Sequence, residues 1–325
     1  MKIVVTGGAG FIGSNLVRKL LDMGHDVVII DDLSRGTQLN LQDLDVKTEI
    51  KRADLRDSKL ALKSIKGAEV VFHLAARVGS INYLHGSKWN ELEALQSNLV
   101  IDANVFRSCL ENGVKKLVYA SSVSIYPIED QDKSGVIFSE NSLNHYNPEG
   151  GYGWSKLMGE IQLAWTEGLN ISIARIFGIY GENGALGKSS HVVTSLIRKA
   201  ILYPKEKYVI WGDGTKTRDF LYVGDCVEAL IKMQHKAGKE PFIVNIGSDK
   251  AIKISTLAEK IAHISGKNME IIYDLSQPSG PFSRTADNRQ AKSLLNWEPK
   301  VSLDEGLRRT YKWEEKRFKI YQDHF

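Results

Sequence analysis

Tyr152 and Lys156 stand four residues apart, a spacing that puts both side chains on one face of a helix. A tyrosine phenol ordinarily titrates near ~10. A neighbouring ammonium, or a positively charged ring such as oxidised nicotinamide, favours the phenolate. A tyrosine tuned in this way can take a proton from a hydroxyl while hydride leaves the same carbon. By itself the Tyr-x-x-x-Lys spacing occurs in many helices. Ser121-Ser122, at the end of an apolar run, adds weight, because hydroxyls at the carboxyl edge of a parallel sheet face the ligand crevice.

A second group of residues points to a dinucleotide. Thr6-Gly7-Gly8-Ala9-Gly10-Phe11-Ile12-Gly13 follows an apolar run and opens a helical pattern. Gly7 permits the tight turn, Gly10 lets backbone approach a pyrophosphate, and Gly13 lets the helix pack close to the sheet. The helix start, from Phe11-Ile12 onward, offers N–H groups and a partial positive charge to the phosphates. Asp31 lies 18 residues beyond Gly13, near the spacing expected for a residue that binds the adenosine ribose, and Asp32 follows it. A carboxylate there repels a 2′-phosphate, which favours NAD over NADP, although Arg35 is close behind. Asp54-Leu55 are placed to flank the adenine.

Stepping out to the elements, short β-branched runs at Lys2–Thr6, Asp26–Ile30, Ala68–His73, Lys116–Ser121 and Ile171–Ile176 are nearly all apolar. That is the pattern of a parallel sheet covered on both faces. Helical patterns at Gly10–Met23, Asp57–Lys66, Glu91–Asn112 and Tyr152–Glu167 alternate with them. The expectation is a doubly wound α/β sheet of the Rossmann type. After about residue 176 the rhythm changes. A Gly- and Asn-rich loop (Gly181–Gly187) precedes a basic helix, Ser190–Tyr203, containing Arg198 and Lys199. Farther on come Trp211-Gly212-Asp213-Gly214 and a segment with Pro278, Gly280 and Pro281. The division expected is a cofactor domain over 1–175 and a smaller α/β substrate domain over 176–325, with some strands returning to the first. Glu129–Gly151 is long for a connection and reads as a functional lid or a mobile loop.

The chain of 325 residues is 42% hydrophobic and 25% charged, the balance of a globular protein able to bury a core without staples. Its net charge of +4 has no long basic run, which argues against nucleic acid and fits a small anionic ligand. Cys109 and Cys226 are far apart and signal neither a disulfide framework nor a zinc site, so no metal is expected. No apolar stretch reaches the length of a membrane span, and Met1–Val5 lacks the pattern of a signal peptide. A cytoplasmic setting is expected.

With these residues in view, the chain resembles the extended short-chain dehydrogenase/reductases, in particular the NAD-dependent nucleotide-sugar epimerase/dehydratase family. The resemblance rests on Thr6-Gly7-x-x-Gly10-x-x-Gly13, His73-Leu74-Ala75-Ala76, Ser121-Ser122-Val123-Ser124-Ile125-Tyr126 and Tyr152-Gly153-Trp154-Ser155-Lys156. It continues through Gly212-Asp213-Gly214-x-x-x-Arg218-Asp219-Phe220, Asn245-Ile246-Gly247 and Arg284-x-x-Asp287-Asn288. It implies a catalytic hydroxyl at Ser122, a general base at Tyr152 and a supporting lysine at Lys156. It also implies NAD contacts at Leu74, Ala75 and Ala76, sugar contacts at Val78 and Gly79, and a diphosphate clasped by Arg218 and Arg284. The partner implied is a nucleotide-diphosphate sugar, handled by a homodimer of the chain.

The resemblance also sorts reactions. The 4,6-dehydratases carry Asp-Glu where Val123-Ser124 stand, and the decarboxylases carry Glu at Ser124, so both are disfavoured. A 4-epimerase needs only Ser122, Tyr152, Lys156 and NAD, and is the favoured reading. GDP-mannose 3,5-epimerase and GDP-fucose synthase compete, because His191 stands where they place a proton donor. Ser124 stands where they place a cysteine, and a serine is a poor base without a partner. Gly178 departs from a substrate-binding asparagine of many relatives. A non-catalytic NAD-binding protein would tend to lose Tyr152 or Lys156, and both are present.

Overall fold

The structure is a computed structural model that describes residues 1–44, 48–184, 190–277 and 280–320. Part of the Gly181–Gly187 loop, and Pro278, lie outside the described residues. In chain order the principal elements are β1 (Lys2–Thr6), α1 (Phe11–Asp22), β2 (Asp26–Asp31), β3 (Glu49–Arg52), α2 (Ser58–Ile65), β4 (Val70–His73), α3 (Lys88–Glu111), β5 (Lys116–Ser122), α4 (Gly150–Ala164) and β6 (Asn170–Ile176). There follow α5 (Val192–Leu202), α6 (Val223–Met233), β7 (Phe242–Ile246), α7 (Ile254–Ser265) and α8 (Leu303–Ile320).

The seven strands form one parallel sheet in the order β7-β6-β5-β4-β1-β2-β3. The apolar runs produce it because each strand is covered twice. On one face Leu16, Val17 and Leu20 of α1 pack with Val227, Leu230 and Met233 of α6 against Ile3, Val5 and Ile29. On the other, Ala61, Val105, Phe106 and Leu163 from α2, α3 and α4 pack against Val4, Val28 and Val71. Burying one such side chain contributes about 1.5–3 kcal/mol. Two strands carry weaker signals. β3 reads Glu-Ile-Lys-Arg, sits at the sheet edge and is largely exposed, so it has no apolar run to show. β7 comes from the second half of the chain and closes the opposite edge beside β6.

Chain order reverses direction between β1 and β4, which opens a crevice at their carboxyl ends. Thr6 pairs with His73 at that edge. Tyr119 of β5 is in register with His73, so Ser122 lies three residues farther on, about 10 Å beyond the end of β4 at ~3.3 Å per residue. That overhang carries the Ser122 hydroxyl out over the crevice.

Leu196 and Ile197 of α5, Leu257 and Ile261 of α7 and Leu307 of α8 form a separate core with Tyr208. Arg198 is paired with Glu206 at 2.5 Å, and Lys199 donates to the Val209 carbonyl, so the basic charges of α5 tie down its own neighbourhood. The segment 129–151 is not a loose lid. Ile137–Phe138 pairs with Thr285–Ala286, Phe138 is fully buried on Tyr126, and Glu140 accepts from the Asn245 N–H. It is a packed strap across the sheet edge.

Candidate active site

The cofactor end is made largely of backbone. Gly7 adopts φ +69°, and a Cβ there would meet the Ala75 nitrogen at 2.8 Å. A Cβ on Gly13 would stand 2.1 Å from the Gly7 carbonyl oxygen. The loop therefore packs on itself with no room for side chains. Helix α1 begins at Phe11 behind Gly10, with no side-chain cap and no acidic residue in its first turn. Its first N–H groups remain available to an anion. The Asp31 carboxylate accepts from the Ala9 N–H at 3.0 Å and the Leu33 N–H at 2.9 Å, with burial pushing its pKa upward. Arg35 lies over the Tyr83 ring at 4.3 Å, beside Gly79, where a Cβ would strike Tyr83. Asp32 accepts from Ser34, Asp54 is chelated by Arg56, and Leu55 is buried in the lower core. Leu74, Ala75, Ala76 and Val78 are half-buried along the irregular segment that leaves β4. These residues fit a dinucleotide: a bare helix start, a cradle that a Cβ would fill, and a carboxylate at the end of β2.

A buried chain of hydrogen bonds runs from this loop to Tyr119, whose ring lies under Lys156. Thr6 Oγ1 accepts from the Leu74 and Ala75 N–H groups, each at 3.2 Å, so its single proton goes to His73 Nδ1 at 2.7 Å. His73 is then neutral with its proton on Nε2, as burial favours, and donates to Asp102 at 3.0 Å. Asp102 also accepts from the Tyr119 hydroxyl at 2.6 Å. The Lys156 ammonium lies 4.6 Å above the Tyr119 ring. Burial lowers the Lys156 pKa, and Asp102 and Glu160 oppose that. Asp102 and Tyr119 escape sequence reading, since neither stands at a spacing that announces its partner.

Tyr152 has Ser122 as its hydrogen-bonding neighbour, and Lys156 follows one turn later on α4. Protein atoms surround the tyrosine, yet part of its surface opens to the cleft. Its pKa is not lowered: burial pushes it up to about 12, with Ser122 and Arg284 pulling the other way. The ammonium expected to lower it is committed to the Tyr119 face. The adjacent Ser121 turns to the opposite side of the strand, where it donates to Glu160 at 2.5 Å. Glu160 in turn binds Arg175 at 2.8 Å in a buried ion pair. Ser122 alone of the serine pair belongs to the crevice.

A second cluster is built from side chains brought from distant segments. The Ser124 hydroxyl donates to Glu149 at 3.1 Å. Glu149 is also in ion contact with Arg284, whose Nε donates to Gln131 at 2.7 Å. His85 Nε2 is 3.9 Å from Glu149, and His85 Nδ1 is 2.6 Å from Glu91. Burial works to raise the Glu149 pKa, but Arg284 and His85 outweigh it and hold the carboxyl below its ordinary value. Arg218 stands close enough to Arg284 to be repelled by it. Burial and that repulsion pull the Arg218 pKa down to about 9. Two neighbouring guanidinium groups in a cleft make a site for a dianion. Protein atoms crowded around the His191 imidazole lower its pKa, and the Arg35 charge adds to that. Gly178 has a physical reason to lack a side chain: a Cβ would lie 2.2 Å from the Asp219 carbonyl oxygen. Glu149, His85 and Glu91 are absent from the sequence reading. The one local signal is that Glu149 precedes Tyr152 by three residues at the start of α4.

A doubly wound sheet with a Ser-Tyr-Lys cluster beside a glycine loop defines a dehydrogenase/reductase of the short-chain type. The model of the family described as "NAD dependent epimerase/dehydratase family" matches residues 3–247. The chain is 32% identical over 317 residues to GDP-mannose 3,5-epimerase 1 of Oryza sativa, covering 96% of this chain and 81% of that one. The structure of UDP-glucose 4-epimerase from Thermotoga maritima with UDP-glucose matches with a TM-score of 0.87 at 29% identity, over 98% of this chain and 100% of that one. The Thermus thermophilus UDP-glucose 4-epimerase in complex with NAD matches with a TM-score of 0.82 at 25% identity, over 96% and 98%. The chain therefore belongs to the NAD-dependent epimerase/dehydratase family, and NAD is its cofactor. Among the described residues no helix is long and apolar enough to cross a membrane.

Proposed function

We propose that the chain is a nucleotide-sugar epimerase working through transient oxidation of the sugar at C4. The observation that carries this reading is the Ser122–Tyr152 pair overhanging the crevice, one helical turn from Lys156 and next to the glycine loop. Gly7, Gly10, Phe11, Ile12 and Gly13 would hold the pyrophosphate, Asp31 the adenosine ribose, and Lys156 the nicotinamide ribose. Asp32, Asp54, Leu55 and Leu74–Ala76 would line the adenine and linker. Bound NAD supplies the hydride acceptor and donor, and its positive ring supplies the field that Lys156 does not. Tyr152 Oη accepts the proton of the C4 hydroxyl, and Ser122 Oγ fixes that oxygen by a hydrogen bond. Arg218 and Arg284 face the diphosphate, and Val78 and Gly79 border the sugar.

Inversion at C4 itself needs no further group and is the favoured outcome. A second outcome, inversion next to C4, has one observation in its favour: Ser124 has the partner that a serine base needs, Glu149. Mixing the protein with UDP-glucose, UDP-galactose or GDP-mannose and reading products by NMR tests the reading. Product inverted at C4, or at C3 or C5, supports it. Unaltered sugars with no reduction of NAD contradict it.

The division near residue 176 into a cofactor part and a substrate part belongs to the same reading, as does a homodimer. Trp89, Leu92 and Val100 of α3 and Trp154, Met158 and Trp165 along α4 are exposed, with Trp165 at 79%. Large apolar side chains exposed on two adjacent helices support that reading. Light scattering should give twice the chain mass, and Trp165→Glu should shift it toward the monomer.

A further inference from the structure

We propose that Glu149 is a catalytic base that enolises the 4-keto sugar, so that the protein exchanges a carbon-bound hydrogen next to C4 with solvent. The proposal rests on the C4-oxidation reading above and extends it.

Four observations converge. Glu149 precedes the proposed base Tyr152 by three residues and accepts from the Ser124 hydroxyl, and the Ser124 N–H donates to the Ser122 hydroxyl oxygen, so the carboxylate stands beside the Ser122–Tyr152 pair. It is largely enclosed, with 15% of its side chain exposed, and Arg284 and His85 keep it ionised and so able to accept a proton. It does not sit there as one half of a simple ion pair. Arg284 is shared with Gln131, and the same Glu149 oxygen that meets Arg284 also accepts from Ser124. The other oxygen faces His85, which is hydrogen-bonded to Glu91. Side-chain exposure rises along this line, from Glu149 at 15% to His85 at 23% and Glu91 at 32%. A proton taken up by Glu149 has a titratable path toward solvent once a water bridges the 3.9 Å gap to His85. A carboxylate needed only to bind sugar hydroxyls has no use for that path.

The chemistry balances with NAD as the oxidant that creates the C4 carbonyl. The C–H bond at C3 or C5 breaks, and its proton forms an O–H bond on Glu149. The electron pair moves onto O4 as an enolate, which the Ser122 and Tyr152 hydroxyls stabilise by donation. The reverse step returns to carbon a proton that has exchanged through His85 and Glu91. Ser124 orients the carboxylate, and Arg284 keeps it ionised.

The test supplies the ketone ready-made, so it does not depend on hydride transfer. The NAD-loaded protein is incubated in D2O with dTDP-4-keto-6-deoxyglucose and, separately, with GDP-4-keto-6-deoxymannose, and deuterium at C3 and C5 is followed by NMR. The wild type should label one of these carbons at least ~100-fold faster than buffer, within the range general bases supply. Glu149→Gln, which keeps hydrogen bonds to Ser124 but cannot accept the proton, should fall to the buffer rate. Glu149→Asp should recover part of the exchange. Thermal melting and NAD titration of each variant check that it is folded, and the Asp variant carries the test if the Gln variant is not. No exchange above buffer with either ketone overturns the inference. So does exchange that persists in Glu149→Gln. Neither result touches C4 oxidation, which is read separately by NAD reduction with UDP-glucose and GDP-mannose.

Discussion

The two ends of the cleft are made differently. The cofactor end consists of contiguous backbone: residues 6–13 close on themselves, and Asp31 braces the loop through the Ala9 N–H. The sugar end is assembled from residues 85, 91, 124, 149, 218 and 284, which meet only because the strap 129–151 and the Thr285–Ala286 strand are packed together. A backbone site tolerates almost no substitution. A side-chain site can be retuned one residue at a time, so it is the end where reaction and substrate are chosen.

Several substitutions would break or sharpen that contrast. Gly13→Ala puts a methyl into the Gly7 carbonyl, at a contact that rigid backbone cannot relieve. Calorimetry should show NAD affinity reduced by about 10³-fold or more, equivalent to a cost of over ~4 kcal/mol. Retained NAD binding would show that the loop is softer than it looks. Tyr152→Phe removes only a hydroxyl. It should lower kcat by about 10³-fold, as general acid–base catalysis implies, with the melting temperature unchanged. Glu149→Gln, by contrast, should separate hydrogen exchange from NAD binding, the two ends responding independently.

The Tyr152 phenol gives a pH test. Burial holds it near 12 before cofactor binds. The positive nicotinamide favours the phenolate, so its pKa should fall by at least ~1 unit on NAD binding, as tyrosinate absorbance differenced against Tyr152→Phe would show. Because the deprotonated form is the active base, kcat should rise with pH up to that lowered value and level off above it. The smallest expected effect is Asp31→Asn. The proposed contact of Asp31 with the ribose would lose its charge, so NAD affinity should drop by about tenfold, with the discrimination against NADP reduced alongside it.

How much of this could be read from the chain follows the same contrast. The glycine loop and Asp31 are legible because Gly13 packs on Gly7, Asp31 binds the Ala9 N–H 22 residues away, and sterics force the glycines. The sheet is legible where strands are buried on both faces. β3 is not, because Glu49 and Lys51 satisfy an exposed edge and leave no apolar signature. The Tyr-x-x-x-Lys spacing of the proposed catalytic pair is local and visible. The Lys156 environment is not, since Asp102 and Tyr119 reach it through the tertiary fold. Glu149 hides for the same reason: its meaning depends on Ser124, His85 and Arg284, up to 135 residues away. The expected lid over 129–151 fails because sequence shows its length but not that Phe138 is buried on Tyr126.

The most direct measurement of the central claim is single-turnover mixing of the NAD-loaded protein with UDP-glucose and with GDP-mannose, each unlabelled and each carrying deuterium at C4, with absorbance followed at 340 nm. Transient C4 oxidation predicts a rise and fall of reduced cofactor with at least one of these sugars. That signal should be slowed several-fold by the C4 deuterium and be absent in Tyr152→Phe. No reduced cofactor with either sugar, or a signal indifferent to both the label and Tyr152, would contradict it.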